Sequence, residues 1–407
     1  MMDRAAFTGS VTSVRDWTPM RVSATSEEFR FHIPGFAILA LTMLCALQTP
    51  GIALAAPLPP AEASRLLAEG LDHFYNLEYD PAISIFERLR ADDSRNPTWQ
   101  NHVALGYFYK QLYIAGALEG DLFGASNRFF RTRKIKADPV LESRFRQANE
   151  TVIRICEQRV KENNRDEEAL YACGVAYAAR ATHQGLIERS VLNSLGSARK
   201  ANDHHTRLAR VNPRFYDAYL IPGLYDFVLG SLPGPVKVLF FFAGLNGDKQ
   251  RGIGLVEKVV QWGDGARHDA RILLTVMYRR EKRFGDARRT IQALADTFPR
   301  NYVLPLEIAS LHRAAEETPY AIREYERVLE RVRSGMPNYP EAPVARIHFE
   351  LGVLYQMDKD LEAALRHIRQ VAGSRGSTPE LEAESARIQQ QLEAALAQQT
   401  VEAGVRP

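Results

Sequence analysis

The sequence predicts an all-α fold, an α-solenoid of about six antiparallel helix pairs closed by a C-terminal capping helix. Three observations lead there. After Pro57-Leu-Pro-Pro60, apolar residues recur at intervals of three and four, and no convincing alternating strand run occurs. Prolines 97, 139, 213, 299 and 340 fall mainly between the helical segments, where a missing N–H costs least. Finally, Ala287 recurs 34 residues later as Ala321, which is followed at four by Tyr325. Self-similarity at a fixed period is the mark of a repeat array.

The chain opens on a leader. From Phe31 to Ala61 there is no Asp, Glu, Lys or Arg, and Phe36–Leu47 is a compact apolar core. Pro50-Gly51 breaks the helix and Ala53-Leu54-Ala55 offers a small-x-small cleavage pattern, the order of a secretory signal. At about 12 residues the core is short for a span that needs ~20. A long, neutral stretch precedes it, with Arg4, Arg15, Arg21 and Arg30 balancing Asp3, Asp16, Glu27 and Glu28. Translation from Met20 would give a more ordinary leader. Cleavage near residue 56 and an uncleaved anchor over Ile33–Ala56 both put the body outside the cytoplasm, in the periplasm or on its membrane. Met43-Leu44 before Cys45 lack the small residues of a lipoprotein site.

Residues 57–61 read as a proline-rich linker, 62–395 as the repeat domain and 396–407 as a tail. Tyr79-Asp80-Pro81-Ala82 to Leu89 has a second-helix pattern ending at Pro97. Leu105-Gly106-x-x-Tyr109 and Leu170-x-x-Cys173-Gly174-x-x-Tyr177 open further units. The latter is completed by Ala201, His205, Leu208 and Pro213 after some 15 extra residues. The strongest repeats occupy 268–372. One reads Leu274, Tyr278, Ala287, Ile291, Leu294, Pro299, and another His348-x-x-Leu351-Gly352-x-x-Tyr355, Ala364, Ile368. Ala321 and Ala364 lie 43 apart, so about nine residues are inserted around Ser334–Pro340. Small residues let antiparallel helices approach, and bulky neighbours fill the flanks. The polar segment Glu380–Gln399 would cap the last apolar face.

This pattern resembles the tetratricopeptide repeat (TPR) family over most of 62–395. The resemblance implies a right-handed superhelix with a concave groove lined by set positions of each first helix. Here these are Asp269, Ile272, Val276 and Arg279; Val303, Leu306, Ser310 and Arg313; and Arg346, Phe349, Val353 and Gln356. The lining is an apolar strip edged by three arginines, suited to an extended or helical peptide bearing acidic groups or a free carboxylate. Gly223-Leu-Tyr, Leu232-Pro, Val238 to Gly244 and Gly247-Asp248 resemble the mid-region of eukaryotic TPR proteins tied to mitochondria and inclusion-body clearance, as architectural kinship.

Formal charge is only +3 over 407 residues, which argues against a dedicated nucleic-acid binder. The basic clusters Arg128, Arg131, Arg133, Lys134, Lys136 and Arg279, Arg280, Lys282, Arg283 read first as solvated helix faces. Val236–Leu245, with Phe240-Phe241-Phe242, reads as a buried helix or as a surface that enters a membrane. Cys156 and Cys173 flank the Asn163-Asn164-Arg165 turn almost symmetrically. Either they form a disulfide or they are small core residues, because helix axes 8–10 Å apart exceed the ~7 Å that bridged Cα atoms allow. Ten histidines form no metal signature, His204 and His205 pointing about 100° apart. Neither GxxxxGK[ST] nor GxSxG occurs. The reading is therefore a non-catalytic scaffold without cofactor that binds a protein or peptide. A membrane-associated structural protein and a small-ligand binder in the groove are the alternatives.

Overall fold

The computed structural model describes residues 58–118, 135, 137–234, 237 and 246–404. The leader with Cys45, the cluster at 128–136, and the apolar run 236–245 apart from Lys237 lie outside these. The body, residues 55–407, is one compact unit. Every regular element among the described residues is helical.

Seven hairpins follow one another: α1 (Pro60–Tyr75) with α2 (Tyr79–Asp92), α3 (Pro97–Ile114) with α4 (Pro139–Glu162), α5 (Glu167–His183) with α6 (Val191–Val211), α7 (Leu220–Gly230) with α8 (Lys249–Trp262), α9 (Arg267–Arg280) with α10 (Phe284–Thr297), α11 (Val303–Ala314) with α12 (Thr318–Arg333), and α13 (Val344–Met357) with α14 (Leu361–Arg369). A long last helix, α15 (Pro379–Gly404), lays Ile388 and Leu392 on Ala364, Leu365 and Ile368 and caps the stack. The helix runs on through the segment expected to be a tail, and Pro60 already stands inside α1 rather than in a linker.

The pair beyond the expected six is α7–α8. It lacks the small-residue signal of its neighbours because it packs glycine on glycine. A Cβ on Gly252 would meet the Gly223 carbonyl at 2.6 Å, so neither position tolerates even alanine without a shift. Elsewhere alanine serves: Ala82, Ala201, Ala287, Ala321 and Ala364 are all fully buried at the equivalent place in their second helices.

Local chemistry sets the helix limits. Asn96, Asp138, Asp166, Asp248 and Asp360 accept hydrogen bonds from first-turn amides of the helices that follow. Four hairpins share one turn of three residues with a left-handed middle residue: Leu77, Lys282, Glu316 and Lys359, at φ 58–69°. In each the next amide reaches back five residues, as from Arg283 to the Tyr278 carbonyl, closing the first helix in a Schellman motif without glycine.

Cys156 of α4 and Cys173 of α5 are joined in a disulfide with Cα atoms 5.5 Å apart. The usual interaxial distance does not apply here. Ala169, Ala172 and Ala176 give α5 a face of small, fully buried side chains, so α4 approaches closely. Cys173 also lies near Glu157 and His204, but its sulfur is committed to the disulfide. His205 is a core residue, stacked on Tyr171 and bonded to the Tyr171 carbonyl.

The array also closes on itself. Arg300, in the turn between α10 and α11, donates to Glu78 Oε1 at 2.8 Å and Asp72 Oδ2 at 2.7 Å. Its backbone N–H donates to Asn76 Oδ1 at 3.0 Å. Asn301 donates to the Tyr75 carbonyl at 2.7 Å. Asn338, in the inserted segment after α12, donates to the Asn76 carbonyl and to Glu78, both at 2.9 Å. The insertion read from the sequence therefore supplies part of a clasp between the first hairpin and the sixth.

Candidate functional site

Closure encloses a chamber of about 290 Å³, partly open to its surroundings, between the first hairpin, α3, α9 and α11. Helical periodicity explains its walls. Phe74 and Tyr75 end α1, with Leu77 in the turn and Tyr79 at the start of α2. Phe108 and Tyr109 lie about one turn before Leu112 on α3. From the other side α9 presents Asp269, Ile272, Leu273 and Val276, and α11 presents Val303, Leu304 and Glu307. Thr182 and Leu186 enter from the end of α5 and the π-helical turn after it. The size is near the lower end for small-molecule sites, ~300–1,000 Å³.

The wall is rich in aromatic residues. Phe74 meets Tyr75, Tyr79 and Tyr109 edge-on at 5.3, 5.5 and 5.2 Å, an arrangement favoured by ring quadrupoles. Tyr75 stacks on Phe298 at 4.9 Å, which fixes the α1 terminus against the α10–α11 turn. Its hydroxyl donates to Asp269 Oδ1 at 2.9 Å across the chamber wall.

Burial governs the titration of these groups. It pushes the Asp269 carboxyl up to about 6, against a smaller lowering by the Tyr75 bond. Burial likewise pushes the Tyr75, Tyr79 and Tyr109 hydroxyls up, so they stay protonated. Outside the chamber the balance reverses at Glu78. Burial raises its carboxyl, but bonds from Arg300, Asn338 and His73 outweigh this and hold it at about 2.

The expected groove residues separate into two groups. Asp269, Ile272, Val276 and Val303 line the chamber. Leu306 packs against the main core. The three arginines do not form a free basic edge, because acidic residues engage them, from the next first helix for Arg279 and Arg313 and from the same helix for Arg346. Arg279 is buried and donates to Glu307 at 2.6 Å and to the Ser310 hydroxyl at 2.9 Å. Arg313 pairs with Glu350, whose other oxygen lies 3.8 Å from Arg346. Phe349 and Val353 pack toward the C-terminal cap, and Gln356 is exposed. Their positions were legible, and their electrostatics were not, since Glu307 and Glu350 were left out of the lining.

The aromatic half of the chamber was also missed. Tyr79 and Tyr109 read as ordinary repeat positions, Phe74, Tyr75 and Phe108 were not singled out, and nothing in their spacing places them opposite residues some 200 positions away.

No protein-family model and no curated protein matches the chain. Among solved structures it is similar to a TPR protein of Thermus thermophilus (16% identity, 61% of this chain and 98% of that one, TM-score 0.35). It is similar to a tetratricopeptide repeat protein from Parabacteroides merdae (13%, 81% and 99%, TM-score 0.32). It is also similar to human IFIT1, seen as a dimer with PPP-AAAA (11%, 85% and 88%, TM-score 0.35). Likeness at this level carries nothing about ligands or partners to this chain.

Proposed function

We propose that this tetratricopeptide-type repeat protein is an exported, non-catalytic scaffold that seats part of a protein or peptide partner in the chamber behind its clasp. The observation that carries the reading is the chamber itself. It joins first-helix positions of a repeat groove to an apolar, aromatic wall, in a concave place where a partner side chain or terminus can be desolvated. The arginines at 279, 313 and 346 are engaged by Glu307 and Glu350, so the partner is read by the chamber and not by a basic edge.

Two features support export: the leader around Phe36–Leu47 and the Cys156–Cys173 disulfide, a bond that persists in oxidising compartments and is rare in the cytosol. The membrane-held alternative rests on residues 33–56 and 236–245. No described helix is long and apolar enough to cross a membrane.

A photo-crosslinking residue at position 276, followed by mass spectrometry in the native host, tests the reading. The expected result is one dominant partner whose cross-link disappears on Ile272→Trp, which fills the chamber. A partner retained at full yield by the folded Trp variant would overturn chamber binding. An alkaline phosphatase fusion at residue 60 that stays inactive would overturn export.

A further inference from the structure

We propose that the chamber binds a protonated alkylamine, with its apolar body among the aromatic residues and its ammonium on Asp269. This rests on the chamber reading above and names the chemistry of the occupant.

Charge in the chamber is unbalanced. Asp269 is half-buried where it faces the chamber, yet no described residue forms an ion pair with it; its hydrogen bond comes from the neutral Tyr75 hydroxyl. Neither Arg267 nor Arg271, two residues to either side, is among the charges that shift it. Arg267, two residues away, donates both Nε and Nη2 to the Gly263 carbonyl, at 3.0 and 2.6 Å. His268 is kept neutral by burial and by the adjacent Arg271 and Arg267. The other charge felt by Asp269 is Asp217, of like sign. Among the described residues lining the chamber there is no Lys, Arg or His, and the second carboxylate, Glu307, is bridged to Arg279.

A half-buried carboxylate without a counter-ion is costly to maintain, and one facing a cavity is a candidate binding group. Three tyrosines and two phenylalanines line the same space, and aromatic faces attract cations beyond their apolar contact. A neutral ligand would use the apolar wall and leave Asp269 uncompensated. An anion would meet two carboxylates. A monovalent ammonium on an apolar stem matches both halves of the lining. The two sources of that chemistry are a free amine and the lysine side chain of a partner peptide.

Titration calorimetry on the oxidised, full-length body at pH 7.5 distinguishes these outcomes. The probes are cyclohexylmethylamine, cyclohexylmethanol and cyclohexanecarboxylate, with an acetylated, amidated Ala-Lys-Ala peptide and its norleucine counterpart. The amine is expected to bind about tenfold more tightly than the alcohol, and the carboxylate not at all. Asp269→Asn should bring amine and alcohol within about twofold while alcohol binding persists. A lysine peptide that binds as the amine does identifies the source as a partner side chain.

Because the Asp269 carboxyl sits at about 6, lowering the wild-type solution to pH 5 should weaken amine binding roughly tenfold. The amine stays charged throughout, so the change belongs to the protein. This arm needs no variant and stands even where Asp269→Asn fails to fold. An amine preference that survives Asp269→Asn or pH 5, or a preference for the alcohol or carboxylate, overturns the inference. Alcohol binding abolished by Ile272→Trp would leave the chamber reading intact. Absence of binding by every probe overturns the inference, and the partner cross-link at position 276 then decides the chamber reading separately.

Discussion

Arg300 and Glu78 lie 222 residues apart in sequence, and their side chains meet at 2.8 Å. Solenoids ordinarily gain stability from nearest neighbours alone. Here one arginine ties the sixth repeat to the first, and its removal should be felt in both. Arg300→Ala is expected to lower the stability of the body by about 1–2 kcal/mol, the worth of a partly buried charged network. Hydrogen exchange at residues 72–78 should rise with it. Unchanged protection there would show that the clasp contributes nothing.

The same network sets an acid limit. Glu78 has its folded carboxyl depressed to about 2, below its unfolded value near 4.5. Its contribution is therefore fully present above pH ~4.5 and is lost as pH falls toward 2. Tyr75 fluorescence or near-ultraviolet dichroism followed from pH 5 to 2 should report opening of the clasp in the wild type. In Arg300→Ala, where Glu78 keeps only Asn338 and His73, the same change should come at higher pH.

Arg279 and Arg313 occupy equivalent groove positions but differ in burial, with side chains 11% and 44% exposed. Arg279→Ala strands part of a buried pair and should cost about 3 kcal/mol in urea unfolding. Arg313→Ala should cost no more than about 1 kcal/mol. Equal, small losses would mean that Arg279 is not an internal brace and would return it to the partner-facing residues.

Glycines on the array have opposite roles that one substitution can separate. A Cβ on Gly174 would stand 1.8 Å from the ring of His205, which is buried and stacked on Tyr171. Gly174→Ala should lower stability by about 1–3 kcal/mol through that overlap. Gly196 and Gly254 lie inside α6 and α8 with open space around them. Alanine at either should add about 0.5–1 kcal/mol, read as a higher melting temperature.

The Cys156–Cys173 disulfide spans 17 residues. On loop-closure grounds Cys173→Ser should cost about 3 kcal/mol under oxidising conditions. Under reducing conditions the difference from wild type should vanish. A wild-type melting curve insensitive to reductant would remove the disulfide as support for export.

Much of this architecture was open to reading in the chain because helix pairing is local. Ala287, Ala321 and Ala364 repeat since each must admit a partner helix, and Leu351-Gly352-x-x-Tyr355 follows from the same demand. α7–α8 escaped count as a pair because its contact is made by Gly223 and Gly252, and glycine there reads as a turn. In the site, Ile272 and Val276 were found from the register of their own repeats. Tyr75 and Tyr109 were not, since only the accumulated rotation of the superhelix brings α1 and α3 opposite α9. That rotation is a sum of small angles that no single repeat reveals. The pairing of Arg279 with Glu307 was within reach, as both stand on first helices at adjacent heights, but it required reading two repeats together.

The clasp also has a consequence for how the chain is made. Asp72, Asn76 and Glu78 are synthesised long before Arg300 and Asn338 exist to receive them. At 5–20 residues per second, the interval is roughly 10 to 55 seconds. Throughout it the side of Tyr75 that later meets Phe298 and Asp269 is an aromatic face left uncovered. Whatever attends the nascent or translocating chain must shield that face, and the moment the sixth hairpin forms is the moment this need ends.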